Sequence, residues 1–93
     1  MLVTVRFFGD LREYIKKRWL TVEVPESTSV RDLILRVEKD LDLSLSDKLM
    51  DKDEVNPRFK ILVNGTNILH MKGLETRLGD RYSVTIIPTA GGG

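Results

Sequence analysis

The residues most open to chemistry in this chain lie at its end, which reads Ile86-Ile87-Pro88-Thr89-Ala90-Gly91-Gly92-Gly93. Glycine packs no core and loses the most conformational freedom on ordering. A terminal run of it reads as a frayed end, as a cloning remnant, or as a segment shaped to thread into something narrow. Elsewhere the reactive inventory is thin. There is no cysteine, so the chain has no disulfide, thiolate metal site or thiol nucleophile of its own. His70 is the single histidine, and without a second imidazole or a thiol no metal site is expected on it. Asp47, Asp51, Asp53 and Glu54 lack the glycine and the spacing of a calcium loop, and read as a solvated acidic segment. Lys16, Lys17 and Arg18 lead into Trp19, a basic and aromatic combination that nucleic acid can use. A solvated helix end, with side-chain stems lying on apolar surface, is the better reading. No Ser-His-Asp set and no phosphate-binding glycine loop appears, so no active site is expected within the chain.

The elements that must position the tail follow from the whole composition. At 93 residues the chain makes one domain. Hydrophobic residues at 41% and charged residues at 31% describe a globular protein rather than a disordered one. A net charge of +1 argues against nucleic acid as the main partner. No apolar run approaches the roughly 20 residues of a membrane span, so no membrane partner is expected. The N-terminus enters a strand-like pattern directly, which predicts no signal peptide. The lack of cysteine fits the cytoplasm.

Residues 2–8 alternate, with Val3, Val5 and Phe7 on one side and Leu2, Thr4, Arg6 and Phe8 on the other. Gly9 breaks the run. Asp10 stands three residues before Glu13, a capping-box-like spacing, and Leu11, Tyr14 and Ile15 make one short helical face. Residues 19–24 alternate again, with Leu20, Val22 and Val24 inward, as an antiparallel neighbour of the first strand. Pro25 and Ser27-Thr28-Ser29 stop that strand. Ser29 is the expected N-cap, with Asp32 three residues on. Val30, Leu33, Ile34, Val37 and Leu41 then form a single apolar stripe over three turns. Residues 42–57 read as an acidic, irregular connection, with Leu45, Leu49 and Met50 as one anchored turn. A third strand covers 58–64, with Phe59, Ile61 and Val63 inward. Asn64-Gly65 is a strong hairpin signal and returns the chain through Thr66 to Leu69. Residues 70–80 read as loop with one turn at 73–78. The last strand is 81–87, with Tyr82, Val84 and Ile86 on one face, and Pro88 ends it because proline cannot donate to a ladder.

The order β, β, α, β, short β, β predicts an α+β fold: a mixed sheet crossed by one main helix, the ubiquitin-like β-grasp. The two strands joined through the main helix are expected to run parallel. The domain is expected to span 1–88, with 89–93 as a flexible glycine tail. Alternation places Phe8 and Ile87 on faces whose other members are mostly polar, Thr4 and Arg6 for the one and Ser83 and Thr85 for the other. In a β-grasp the first and last strands are neighbours, so Phe8, Ile87 and Leu62 are expected to form one partner-binding patch at the tail's base.

On this order of elements the chain resembles the small subunit of molybdopterin synthase and its relatives, the thiamine-pathway sulfur carrier and the archaeal ubiquitin-like modifiers. The resemblance runs the full length. Its markers are RFFGDLRE (6–13), TVEVPESTSVRDLI (21–34), ILVNG (61–65), GLETRL (73–78) and the ending with proline followed by Gly-Gly. Two departures stand out. Gly79-Asp80 lies one or two residues nearer Leu78 than the family's turn before the last strand, so that turn is reshaped. The ending Pro88-Thr89-Ala90-Gly91-Gly92-Gly93 keeps the terminal pair in register as Gly92-Gly93. The other alignment puts the pair at Gly91-Gly92 and makes Gly93 a residue to be trimmed.

The resemblance implies a carrier protein rather than an enzyme. In the family, a ubiquitin-activating-type enzyme uses ATP to adenylate the terminal carboxylate, and a sulfur nucleophile then displaces AMP to leave a thiocarboxylate. Carried over, the reacting group is on Gly93, with Gly92 and Gly91 behind it. The chain itself holds no permanent cofactor, and ATP is used by the partner. The thiocarboxylate would enter the large catalytic subunit of molybdopterin synthase and donate sulfur to a pterin precursor. In relatives that modify proteins, a target lysine attacks instead and an isopeptide bond forms. A plain ubiquitin-like binding module is a third reading, and deletion of Gly92-Gly93 would leave only that one unaffected. Glycine suits the first two: from Pro88 to Gly93 an extended tail reaches about 20 Å at roughly 3.3–3.6 Å per residue, with no Cβ atoms to obstruct a narrow channel.

Overall fold

Alternation along the first segment becomes strand β1, Leu2–Phe7, with Val3, Val5 and Phe7 buried. The structure is a computed structural model that describes residues 1–89. After β1 come helix α1 (Asp10–Ile15), strand β2 (Trp19–Glu23) and helix α2 (Val30–Leu41). Then follow helix α3 (Ser46–Leu49) and strands β3 (Met50–Asp51), β4 (Glu54–Val55), β5 (Phe59–Val63), β6 (Thr66–Asn67) and β7 (Ser83–Pro88). One sheet has the order β2-β1-β7-β5-β6, and β3 and β4 pair separately. β1 is antiparallel to β2 and parallel to β7, which is antiparallel to β5. The strands that α2 joins, β2 and β5, therefore run parallel, as expected. This is the β-grasp.

Helix α2 begins where Ser29 Oγ accepts from the Asp32 amide at 3.1 Å, the expected N-cap. Its stripe of Val30, Leu33, Ile34 and Val37 is buried, and Leu41 packs on the same core. Across from it lie the inner side chains of the sheet, Val3, Val5, Phe7, Ile61, Val63, Val84 and Ile86. Full burial of a residue such as Leu33 or Phe7 is worth about 1.5–3 kcal/mol, so this layer dominates the stability. Asn64 and Gly65 both have positive φ, 50° and 89°, and close the predicted hairpin between β5 and β6.

Several local expectations change. Asp10 is the first residue of α1 and caps nothing. The N-cap position belongs to Gly9, whose φ of 63° and ψ of −141° turn the chain before a side chain is needed. Leu11 and Ile15 are buried, whereas Tyr14 lies at the surface with its hydroxyl donating to Ser44 O at 3.1 Å. The acidic connection is more ordered than its composition suggests. Leu45, the N-cap of α3, and Leu49, its last residue, are buried in the core, and β3 and β4 form a small hairpin. Arg31 ties that hairpin to the start of α2 by a 3.3 Å ion pair to Asp53. The return arm after Asn64-Gly65 is short: β6 gives way to a 3-10 turn at Ile68–His70. A second 3-10 turn, Gly73–Glu75, is the turn foreseen in that loop. The last strand starts at Ser83, because Tyr82 N donates back to Gly79 O and Arg81 has a φ of 65°.

Candidate functional site

The chain leaves its folded body along β7, so the site is built outward from that strand. Its inner residues, Val84 and Ile86, are buried beneath α2, and its outer residues, Ser83, Thr85 and Ile87, lie on the face without a helix. The parallel register of β1 and β7 sets Arg6 opposite Thr85 and Phe7 opposite Ile86. Phe8 follows, and its amide donates to Ile86 O at 3.2 Å, which draws Phe8 alongside Ile87. On the other flank of β7, Lys60 is opposite Ile87 and Leu62 is opposite Thr85.

Phe8, Ile87 and Leu62 thus share the outer face of three adjacent strands. Ile87 is the centre, Phe8 lies beside it, and Leu62 lies one row back on β5. Phe8 is 39% exposed, a high value for phenylalanine, and Ile87 and Leu62 are half-buried. Phe7, the adjacent ring, is fully buried. The pleat alone produces this division, because successive side chains point to opposite faces.

The base of the tail is fixed by four contacts. Pro88 pairs with Phe59 in the β5 register. Thr89 N donates to Arg58 O, and Thr89 Oγ1 donates to Pro57 O, each at 2.8 Å. Gly9 packs directly against the Pro88 ring. The candidate reacting residue Gly93, with Gly92, Gly91 and Ala90, lies outside the described residues.

Sequence reading alone did not bring charged residues into this site. Arg12 places its guanidinium 5.1 Å from the centroid of the Phe8 ring, at cation–π distance. Trp19, 57% exposed, is opposite Arg6 and extends the outer face toward β2. Beyond Lys60 lies a recess lined by Val55, Pro57, Phe59, Asn67, Leu69 and Thr89. Leu69 is 71% exposed at its rim. The one available signal was the even spacing of Arg6 and Phe8, and of Lys60 and Leu62, on strands whose odd positions are apolar. Lys16, which opens the basic run, is the left-handed C-cap of α1, with its amide bonded to Arg12 O. Among the described residues, no group of three or more His, Asp or Glu side chains is arranged to hold a metal ion. No helix there is long and apolar enough to cross a membrane.

The pattern of the ThiS family matches residues 5–93. Over all 93 residues, and over the whole of that relative, the chain is 30% identical to small archaeal modifier protein 3 of Haloferax volcanii. The solution structure of small archaeal modifier protein 1 from Methanosarcina acetivorans superimposes with a TM-score of 0.79 at 30% identity, covering 99% of this chain and 96% of that one. A chain in the BexX/CysO complex of Amycolatopsis orientalis superimposes with a TM-score of 0.80 at 25% identity, covering 98% and 99%.

Proposed function

The chain belongs to the ThiS family of ubiquitin-like sulfur carriers and modifiers, and from this premise we propose that it carries sulfur as a thiocarboxylate on Gly93. The observation that carries the reading is the placement of the outward apolar patch. Phe8, Ile87 and Leu62 surround the strand that runs into the tail, and Ile87 is followed at once by Pro88 and the fixed Thr89. A tail of small residues offers little binding energy of its own and loses entropy on ordering. Affinity for a partner must therefore come from a surface that holds the body while the tail reaches inward. The patch at the tail's base meets that need.

The chemistry belongs to the partner. A ubiquitin-activating-type enzyme transfers AMP from ATP to the Gly93 carboxylate and releases pyrophosphate. A sulfur nucleophile then attacks the acyl carbon, and AMP leaves with the bonding electrons. The resulting thiocarboxylate is delivered to the large subunit of molybdopterin synthase, where sulfur passes to a pterin precursor. This chain supplies a carboxylate, a narrow tail and a docking face, and no catalytic group.

A second reading is favoured by the full-length similarity to small archaeal modifier protein 3: the same activated glycine joins target lysines. The test is the intact mass and C-terminal sequence of the protein recovered from its own cells. Sulfur in place of one terminal oxygen supports carriage and identifies the last glycine. An unmodified Gly93, with the tail found instead on lysines of other proteins, makes modification the main role. If neither form arises even after ATP and cell extract are added, both readings fail and a plain binding module remains.

A further inference from the structure

We propose that the outer face at the tail's base docks a protein partner whose own patch is an apolar centre fringed with carboxylates. The inference rests on the activation reading above, because it specifies the surface that the activating enzyme must present.

The three strands that build this face, β1, β7 and β5, contain no aspartate or glutamate. Their only formal charges are Arg6 and Lys60, and both point outward. Each borders the apolar patch: Lys60 is opposite Ile87, and Arg6 shares a row with Thr85 and Leu62. Arg12 adds a third cation over Phe8. The ion pairs among the described residues involve Arg31, Arg36 and Arg81, and none uses Arg6, Arg12 or Lys60. Three cations thus frame one apolar centre, and none of them has an ion-pair partner among the described residues.

Most of the carboxylates are elsewhere, although Asp10 and Glu13 share α1 with Arg12. Glu23 is opposite Leu2, and Asp80 Oδ1 accepts from Leu2 N, so both mark the far end of the same face. Leu2 and Arg6 are four residues apart on β1, about 13 Å at 3.3 Å per residue, beyond a Debye length of about 8 Å at physiological salt. Asp10, the carboxylate nearest to Phe8 in sequence, heads α1 in solvent. Eight of the fourteen carboxylates fall between Asp32 and Glu54, on α2 and the segment after it. The net charge of +1 therefore conceals a polar distribution, cationic on the docking face and acidic around α2.

The distribution selects a partner. A cationic surface would be repelled. A purely apolar surface would strip water from Lys60 and Arg6 and return nothing to them, a penalty that burial of unpaired charge always carries. Carboxylates at the rim satisfy the cations and steer the approach, while the apolar centre excludes water. Nucleic acid fits less well, because the centre of the face is aliphatic and phenyl surface rather than a track of cations.

The test uses the full-length chain with the ubiquitin-activating-type enzyme of the same organism. ATP–pyrophosphate exchange is measured against carrier concentration at about 0.05 M and about 0.5 M salt. Wild type is compared with the double variant Arg6→Glu/Lys60→Glu and with Lys39→Glu, a cation on α2. The double variant should raise KM about tenfold at low salt with kcat unchanged, and the gap should shrink at high salt. Lys39→Glu should match wild type. Amide NMR spectra verify folding, and Arg6→Gln/Lys60→Gln replaces the reversal should the latter fail to fold. Equal KM values for wild type and the double variant overturn this inference alone. Absence of any exchange with wild type overturns the activation reading and this inference with it. Suppression of exchange by a short thymidine oligonucleotide competing for the face would assign it to nucleic acid and also overturn the inference.

Discussion

Gly9 and Pro88 pack so closely that a Cβ built on Gly9 would stand 2.8 Å from Pro88 Cγ. The two residues are far apart in sequence, yet they join the end of β1 to the end of β7. Gly9 has a φ of 63° and a ψ of −141°, a region close to exclusive to glycine. The contact holds the proline ring from which the tail departs.

Replacing Gly9 with alanine should cost about 2–3 kcal/mol, from backbone strain of about 1–3 kcal/mol together with the clash. Urea denaturation measures it. A loss of only a few tenths would show that the Pro88 ring yields freely. Activation of the surviving folded protein should also fall, because Pro88 must shift.

Phe8→Asp should leave stability nearly unchanged and abolish activation. The ring is 39% exposed and its neighbour Phe7 carries the core role. Parallel thermal melts and pyrophosphate-exchange assays separate the two effects. A loss of stability comparable to the loss of activation would make Phe8 a core residue.

Ser29→Ala removes the acceptor for the Asp32 amide at the start of α2. The expected cost is about 1 kcal/mol, typical for an N-cap serine. Denaturation midpoints at constant m-value would report it. Because α2 covers the inner face of the sheet, activation should be untouched once the protein is folded.

Glu38 gives a pH signature. Its carboxylate accepts from Leu45 N at 2.9 Å, from Ser46 N at 2.8 Å and from Ser46 Oγ at 3.0 Å. The Ser46 and Leu45 amides hold its pKa below the usual carboxylate value. A lowered folded pKa means that the stabilisation is present above the unfolded value of about 4.3 and is lost as pH falls through the folded one. Glu38→Ala should therefore cost about 1 kcal/mol at neutral pH, as loss of a capping acceptor does, and much less in acid. Stability curves for both proteins from neutral pH to about pH 3 should converge at the acid end. A constant gap across that range would remove the carboxylate from the explanation.

Much of this molecule is decided locally, and that part can be read from sequence. Strict alternation fixes which side chains of β1, β5 and β7 face the core, because the pleat repeats every two residues. The apolar stripe of α2 is long enough to define its buried face, and Ser29 and Asn64-Gly65 act through bonds a few residues away. The same reasoning gave Phe8 its outward direction. The six residues of α1 are too few for a periodicity to settle whether Tyr14 is buried, and a tertiary bond to Ser44 O goes with its place at the surface. Asp10 is not a cap because Gly9 turns the chain first, at an angle held against Pro88 on another strand. The hairpin of β3 and β4 closes with Arg31 reaching Asp53. Above all, alternation assigns a face but not a neighbour. That Phe8, Ile87 and Lys60 fall in one row, with Arg6 and Leu62 in the next, depends on how β1, β7 and β5 come into register. Such pairing joins segments far apart in sequence, and it is set by the packing of the whole sheet beneath α2.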